Sequence, residues 1–106
     1  MPKFLIQLSY TAEGAKGLLK DGGSARRKAA ADVLAQFGGT VEAFYFAFGA
    51  DDAVLIVDVP DDETMAAIAL TVSATGTIRT RATVLLTPEQ INEATKKQVR
   101  FRAPGQ

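Results

Sequence analysis

From Lys3 to Tyr10 apolar and polar side chains alternate, which is the period of a strand with one covered face. Phe4, Ile6, Leu8 and Tyr10 fall on one side, and Leu5, Gln7 and Ser9 on the other. The period then lengthens. Thr11 is placed to cap a short helix over Ala12 to Lys20, with Ala15, Leu18 and Leu19 inward. Gly22 and Gly23 interrupt it. Ser24 is placed to cap a second helical stretch, Ala25 to Phe37, whose Ala30, Val33, Leu34 and Phe37 follow helical spacing. Gly38 and Gly39 end that stretch, because glycine adopts the left-handed conformation at a helix terminus without steric cost.

Alternation returns from Thr40 to Phe48, with Phe44, Phe46 and Phe48 on one face and Val41, Ala43, Tyr45 and Ala47 on the other. Gly49 to Asp52 predicts a hairpin turn, and Ala53 to Val59 a third strand, apolar on both faces except at Asp58. Pro60-Asp61-Asp62-Glu63 predicts a helix start, since carboxylates suit its unpaired N–H groups. Met65, Ile68 and Val72 form the apolar stripe of that helix, and Gly76 ends it. Thr77 to Leu86 is the fourth strand. Thr87, Pro88 and Gln90 combine a cap, a first-position proline and a capping-box partner, which predicts a last helix to about Lys97.

The order is βαββαβ with an extra C-terminal helix. This is the ferredoxin-like plan, an α+β fold with a four-stranded antiparallel sheet and two main helices on one face. Strands two and three are apolar on both faces, so the face without helices is an interaction surface. A second copy laid sheet to sheet with two-fold symmetry is the simplest way to cover it. Residues 1–97 form the domain and residues 98–106 a basic, flexible tail. A sheet closed this way keeps free strand edges, which leaves room for oligomers larger than a dimer.

Composition narrows the chemistry by exclusion. The chain of 106 residues has no cysteine, histidine or tryptophan. That removes disulfides, thiolate nucleophiles, Cys/His zinc sites, Ser-His-Asp triads and histidine-ligated haem. Its 12 basic and 12 acidic residues cancel, giving no overall pull toward nucleic acid or an anionic membrane. Apolar runs such as Ala53 to Val57 are far too short to cross a bilayer. With no signal-peptide pattern at Met1 to Phe4, a cytoplasmic location is expected.

Several short segments carry a family likeness: Phe4-Leu5-Ile6-Gln7 with Tyr10-Thr11, Gly22-Gly23-Ser24-Ala25-Arg26-Arg27, and Gly38-Gly39. Glu42 to Gly49, Ser73-Ala74 with Arg79-Thr80, and Leu86-Thr87-Pro88-Glu89 continue it. On these segments, residues 3 to about 95, the chain resembles the GYD-domain family of small bacterial and archaeal proteins. The resemblance implies a dimeric α+β barrel and no particular reaction. The sequence departs from the family at its namesake turn. Asp51 stands where the family has tyrosine, while Asp52 matches the family aspartate.

Four places could hold chemistry. Gly23, Ser24, Arg26 and Arg27 combine a glycine loop, a helix start and guanidinium groups, which suits an anion. The plainer account is helix punctuation with solvated basic residues, because phosphate-loop spacing is absent. On the fourth strand Arg79 and Arg81 share a face. Pairing with the first strand would add Gln7 and Ser9, with a small anionic ligand as the expected partner. The plainer account has these arginines paired with Glu42 or with acids of a second copy. Tyr45 and Glu42 have opposite parity, so one of them at most is expected beside the arginines. Asp51, Asp52, Asp58 and Asp61 to Glu63 lack calcium-loop spacing, so no metal and no cofactor are expected. Lys96, Lys97, Arg100 and Arg102 surround Val99 and Phe101 without a groove-reading motif, so the tail is expected to be solvated and not a nucleic-acid contact.

These features point to an oligomeric small-molecule-binding or assembly module. A cofactor-free oxygenase or isomerase using a barrel pocket is the alternative, with Tyr10, Tyr45, Asp52, Arg79 and Ser9 as its available groups.

Overall fold

Strand β1 (Lys3–Tyr10) is central, flanked by β3 (Ala53–Asp58) and β4 (Ile78–Leu85), with β2 (Thr40–Phe46) beyond β3. The computed structural model describes residues 1–106. Its sheet has the order β2-β3-β1-β4 and every neighbouring pair is antiparallel. The helices are α1 (Ala12–Asp21), α2 (Gly23–Ala35), α3 (Asp62–Ala74) and α4 (Pro88–Thr95). The fold is therefore α+β, an open four-stranded antiparallel sheet with four helices.

Period-two alternation places the core. Phe4 and Ile6 of β1 and Ala53, Leu55 and Val57 of β3 are buried on one face, beneath Leu34 of α2 and Met65 of α3. Burial of each large side chain among these contributes roughly 1.5–3 kcal/mol. The other face has no helix over it. There Lys3 bonds Glu42 of β2 at 2.8 Å and Asp58 of β3 at 3.0 Å. The bond to Glu42, and then that to Asp58, raises the Lys3 pKa above the ordinary lysine value.

Caps set the helix starts. Thr11 accepts from the Gly14 N–H, Asp61 from the Thr64 N–H, and Thr87 forms a full capping box with Gln90. Ser24 does not cap α2. The helix begins one residue earlier, at Gly23, after Gly22 at φ 84°, a left-handed value at which glycine is unstrained. Ser24 thus lies inside the first turn. Leu19 is not inward either. It is 87% exposed, because α1 seats itself through the buried Gly14. A Cβ on Gly14 would stand 2.0 Å from the Thr77 carbonyl oxygen, so only glycine permits this approach.

One irregularity re-aims the sheet. Between Val41 and Ala43 the register of β2 against β3 shifts by an extra residue, Glu42. A bulge of this kind turns two successive side chains toward one side. Glu42 reaches Lys3 on the open face, and Tyr45, opposite Val54, lies on that face too. The strict-parity expectation that one of the two at most would be there is corrected by the bulge. Phe44 and Phe46 remain on the helix side, edge to face at 5.2 Å, while Phe48 lies past the end of β2 and is fully exposed.

Helix α4 and the residues after it stand away from the sheet. Residues 88–102 are all exposed. The radius of gyration is 17.0 Å, against about 13 Å for a compact domain of this size.

Candidate functional site

The open sheet face gathers most of the polar residues singled out above. In the β1–β4 register Ser9 lies opposite Arg79 and Gln7 opposite Arg81. These four form one cluster. Arg81 is not a free guanidinium, however. It donates to Oδ2 of Asp51 at 2.8 Å, and the Gln7 side-chain amide donates to the same oxygen at 3.1 Å. Neither Glu42 nor a second copy is needed to pair it. Asp51 and Asp52 of the β2–β3 turn are both paired within the chain. Asp52 accepts from the Tyr10 N–H at 2.8 Å, and its own N–H donates to the Leu8 carbonyl. Arg79 is exposed and makes no ion pair within the chain.

Tyr45 stands apart from this cluster. It shares a row across the sheet with Val54, Gln7 and Arg81, but β2 and β4 are the two edge strands. Three strand spacings separate them, roughly 14 Å. Tyr45 is 71% exposed there.

The anion-binding group at the α2 start divides. Gly23, Ser24 and Arg27 border an open hollow against Phe44 and Phe46. Arg26 turns the other way, into a cavity that the residue pattern alone does not reveal.

This cavity lies between α2, α3 and the helix face of the sheet and has a volume of about 200 Å³. Its floor is built from Ile6, Leu8 and Tyr10 of β1, Phe44 of β2, and Leu55 and Val57 of β3. One wall is Arg26, Ala29, Ala30 and Val33 of α2. The other is Met65, Ile68, Ala69 and Val72 of α3. The physical origin of the space is residue size. Helix α2 packs against β2 and α1, and α3 against β4, with little direct contact between α2 and α3. Alanines at 29, 30 and 69 are too short to fill what the separated helices leave open.

The polar lining is confined to one end. Tyr10 ends β1, Ile78 opposite it begins β4, and Thr75 and Thr77 join α3 to β4. Arg26 enters from the first turns of α2, which starts on the same side of the sheet. A sequence signal for Arg26 did exist. It stands four residues before Ala30 and seven before Val33, on the apolar stripe of α2 and not on the solvated face with Arg27 and Lys28.

Against known families, the GYD domain matches residues 4–95. The chain belongs to the GYD-domain family. No match is found among curated proteins or among solved structures. In this GYD domain the β2–β3 turn is the segment whose Asp51 holds Arg81 and Gln7, and whose Asp52 holds the end of β1. The turn therefore has a structural task. No helix of the GYD domain is long and apolar enough to cross a membrane.

Proposed function

We propose that this GYD-domain protein is an oligomeric small-molecule-binding module, with its ligand between α2, α3 and the sheet. The observation that carries this reading is the cavity of about 200 Å³, whose lining is mostly apolar with polar groups gathered at one end. Ligand sites characteristically combine an apolar lining with a few polar groups that fix orientation. The size sets the scale of the ligand. An apolar cavity of roughly 150 Å³ admits benzene, so the covered space here has room for a single ring or a short chain.

The oligomer reading is supported by the face without helices. Leu5, Val54 and Ile56 lie there at the centre of the sheet, flanked by Lys3, Gln7 and Asp58. In the ferredoxin-like reading of the strand order, a second copy covers this face and the pair closes as a dimeric α+β barrel. The exposed Ile91, Val99 and Phe101 of α4 and the following segment add apolar surface that a neighbouring copy would cover.

Native mass spectrometry of freshly purified protein tests both parts. A multiple of the chain mass carrying an extra small mass supports the proposal. A single-chain mass would refute the oligomer. A clean mass that stays unchanged on adding small aromatic or short-chain compounds would refute the binding module.

A further inference from the structure

The cavity contains one formally charged residue, Arg26, and this points to the charge of its ligand. Arg26 is half-buried at the polar end, and it makes neither an ion pair nor a side-chain hydrogen bond within the chain. Its neighbours differ in what they can still offer. Thr75 donates to the Val72 carbonyl at 2.7 Å and sits 2.6 Å from the Thr77 hydroxyl, so these two threonines are occupied with each other and with the backbone. The Tyr10 and Thr80 hydroxyls, also in the lining, have no partner in the chain. The free donors at this end are therefore a guanidinium and two hydroxyls. The remaining lining offers mainly carbon.

We infer that the cavity takes a small amphiphilic monoanion, a single ring or short acyl chain bearing one carboxylate, with Arg26 holding the carboxylate. This rests on reading the cavity as a ligand site. A partly dry guanidinium favours a planar carboxylate that can accept two parallel N–H bonds. One positive charge matches one negative charge. A doubly charged phosphate ester would bring a second charge into an apolar setting with nothing to balance it. The body of the ligand lies along Ala29, Ala69 and Val72, where the missing side-chain volume is.

The test is a methyl and amide NMR titration of the full chain with phenylacetate and with its neutral counterpart of the same shape, phenylacetamide. The expected result is that phenylacetate perturbs the Ala69 and Val72 methyls and binds more tightly than the amide, by roughly tenfold or more. Arg26→Gln should close that gap by weakening phenylacetate alone. Arg26→Lys should retain part of it. Because Arg26 has no partner within the chain, both variants should melt close to the parent temperature. Equal affinity for acid and amide, or a gap that survives Arg26→Gln, would overturn the anion assignment while leaving an apolar ligand cavity standing. Phenylacetate perturbing Arg79 and Ser9 instead would also overturn it, by moving the anion to the sheet face. Failure of both probes to perturb the cavity methyls would overturn this inference together with the cavity reading beneath it.

Discussion

The Arg81 guanidinium and the Gln7 amide converge on one oxygen, Oδ2 of Asp51, at 2.8 and 3.1 Å. Their environments are unequal. The Asp51 side chain is 14% exposed and that of Arg81 66%. Removing the covered acceptor leaves two donors without a partner, whereas removing the exposed donor breaks a solvated ion pair. Asp51→Ala should therefore lower stability by about 1–2 kcal/mol. Arg81→Ala should cost less than about 1 kcal/mol. Urea unfolding of the two variants checks this, and equal losses would refute the asymmetry.

The same pair shows where the sequence was legible. Alternation along β1 and β4 correctly put Gln7, Ser9, Arg79 and Arg81 on one face, because the side-chain period of a strand is fixed by its geometry. Asp51 as the shared partner was not legible. It lies in a turn, 30 residues from Arg81, and nothing local aims it there. The Glu42 bulge was hidden for a related reason, since no glycine or proline marks it and its effect is felt only through pairing with β3. Ser24 looked like a cap by residue type, yet the backbone turn at Gly22 starts the helix first. The cavity was beyond sequence reasoning in a different sense. Alanine at 29, 30 and 69 is compatible with close helix packing or with a gap, and the distance between α2 and α3 decides which.

That gap gives a stability prediction independent of any ligand. Ala69→Leu places three further carbons into the space between α2 and α3. Filling an existing cavity should raise stability by about 1 kcal/mol. The variant should also lose phenylacetate binding. A lowered melting temperature would mean that the space closes in solution and that the added side chain overpacks it.

The open sheet face gives a prediction about assembly. Ile56 sits mid-strand on β3, opposite Leu5 of β1 and Ala43 of β2. A lysine there would bring two like charges into a sheet-to-sheet interface related by two-fold symmetry. Ile56→Lys should shift native mass spectra and sedimentation toward the single chain without loss of secondary structure by circular dichroism. An unchanged oligomer mass would rule out this face as the contact.

The Asp61 cap gives a pH dependence of defined sign. The Asp61 carboxylate accepts from the Thr64 side chain and backbone N–H, which holds its pKa below the ordinary aspartate value of 3.8. A group whose pKa is lowered on folding stabilises the fold above its unfolded pKa. It loses that contribution as pH falls through the folded value. Asp61→Ala should accordingly melt below the parent protein at neutral pH. The difference should narrow progressively once the pH drops below about 3.8. A gap of constant size down to strong acid would show that the charge of Asp61 contributes nothing to capping α3.

Two glycines of α1 should respond to alanine in opposite directions, although they lie in the same helix three residues apart. Gly14 is buried where α1 crosses the end of β1. An added Cβ would stand 2.0 Å from the Thr77 carbonyl oxygen and 3.0 Å from the Tyr10 ring. The carbonyl is fixed by its bond from the Thr11 N–H at 3.0 Å, so relief requires α1 to move bodily. Gly14→Ala should destabilise by about 1–3 kcal/mol. Because Tyr10 lines the cavity, it should also weaken phenylacetate binding. A Cβ added at Gly17 would meet nothing within 4 Å, and the backbone there is ordinary helix. There the substitution removes only unfolded-state freedom, so Gly17→Ala should stabilise by roughly 0.5–1 kcal/mol. Thermal melts of the two variants decide the matter, and a neutral Gly14→Ala would mean that α1 is not seated on Thr77 as described.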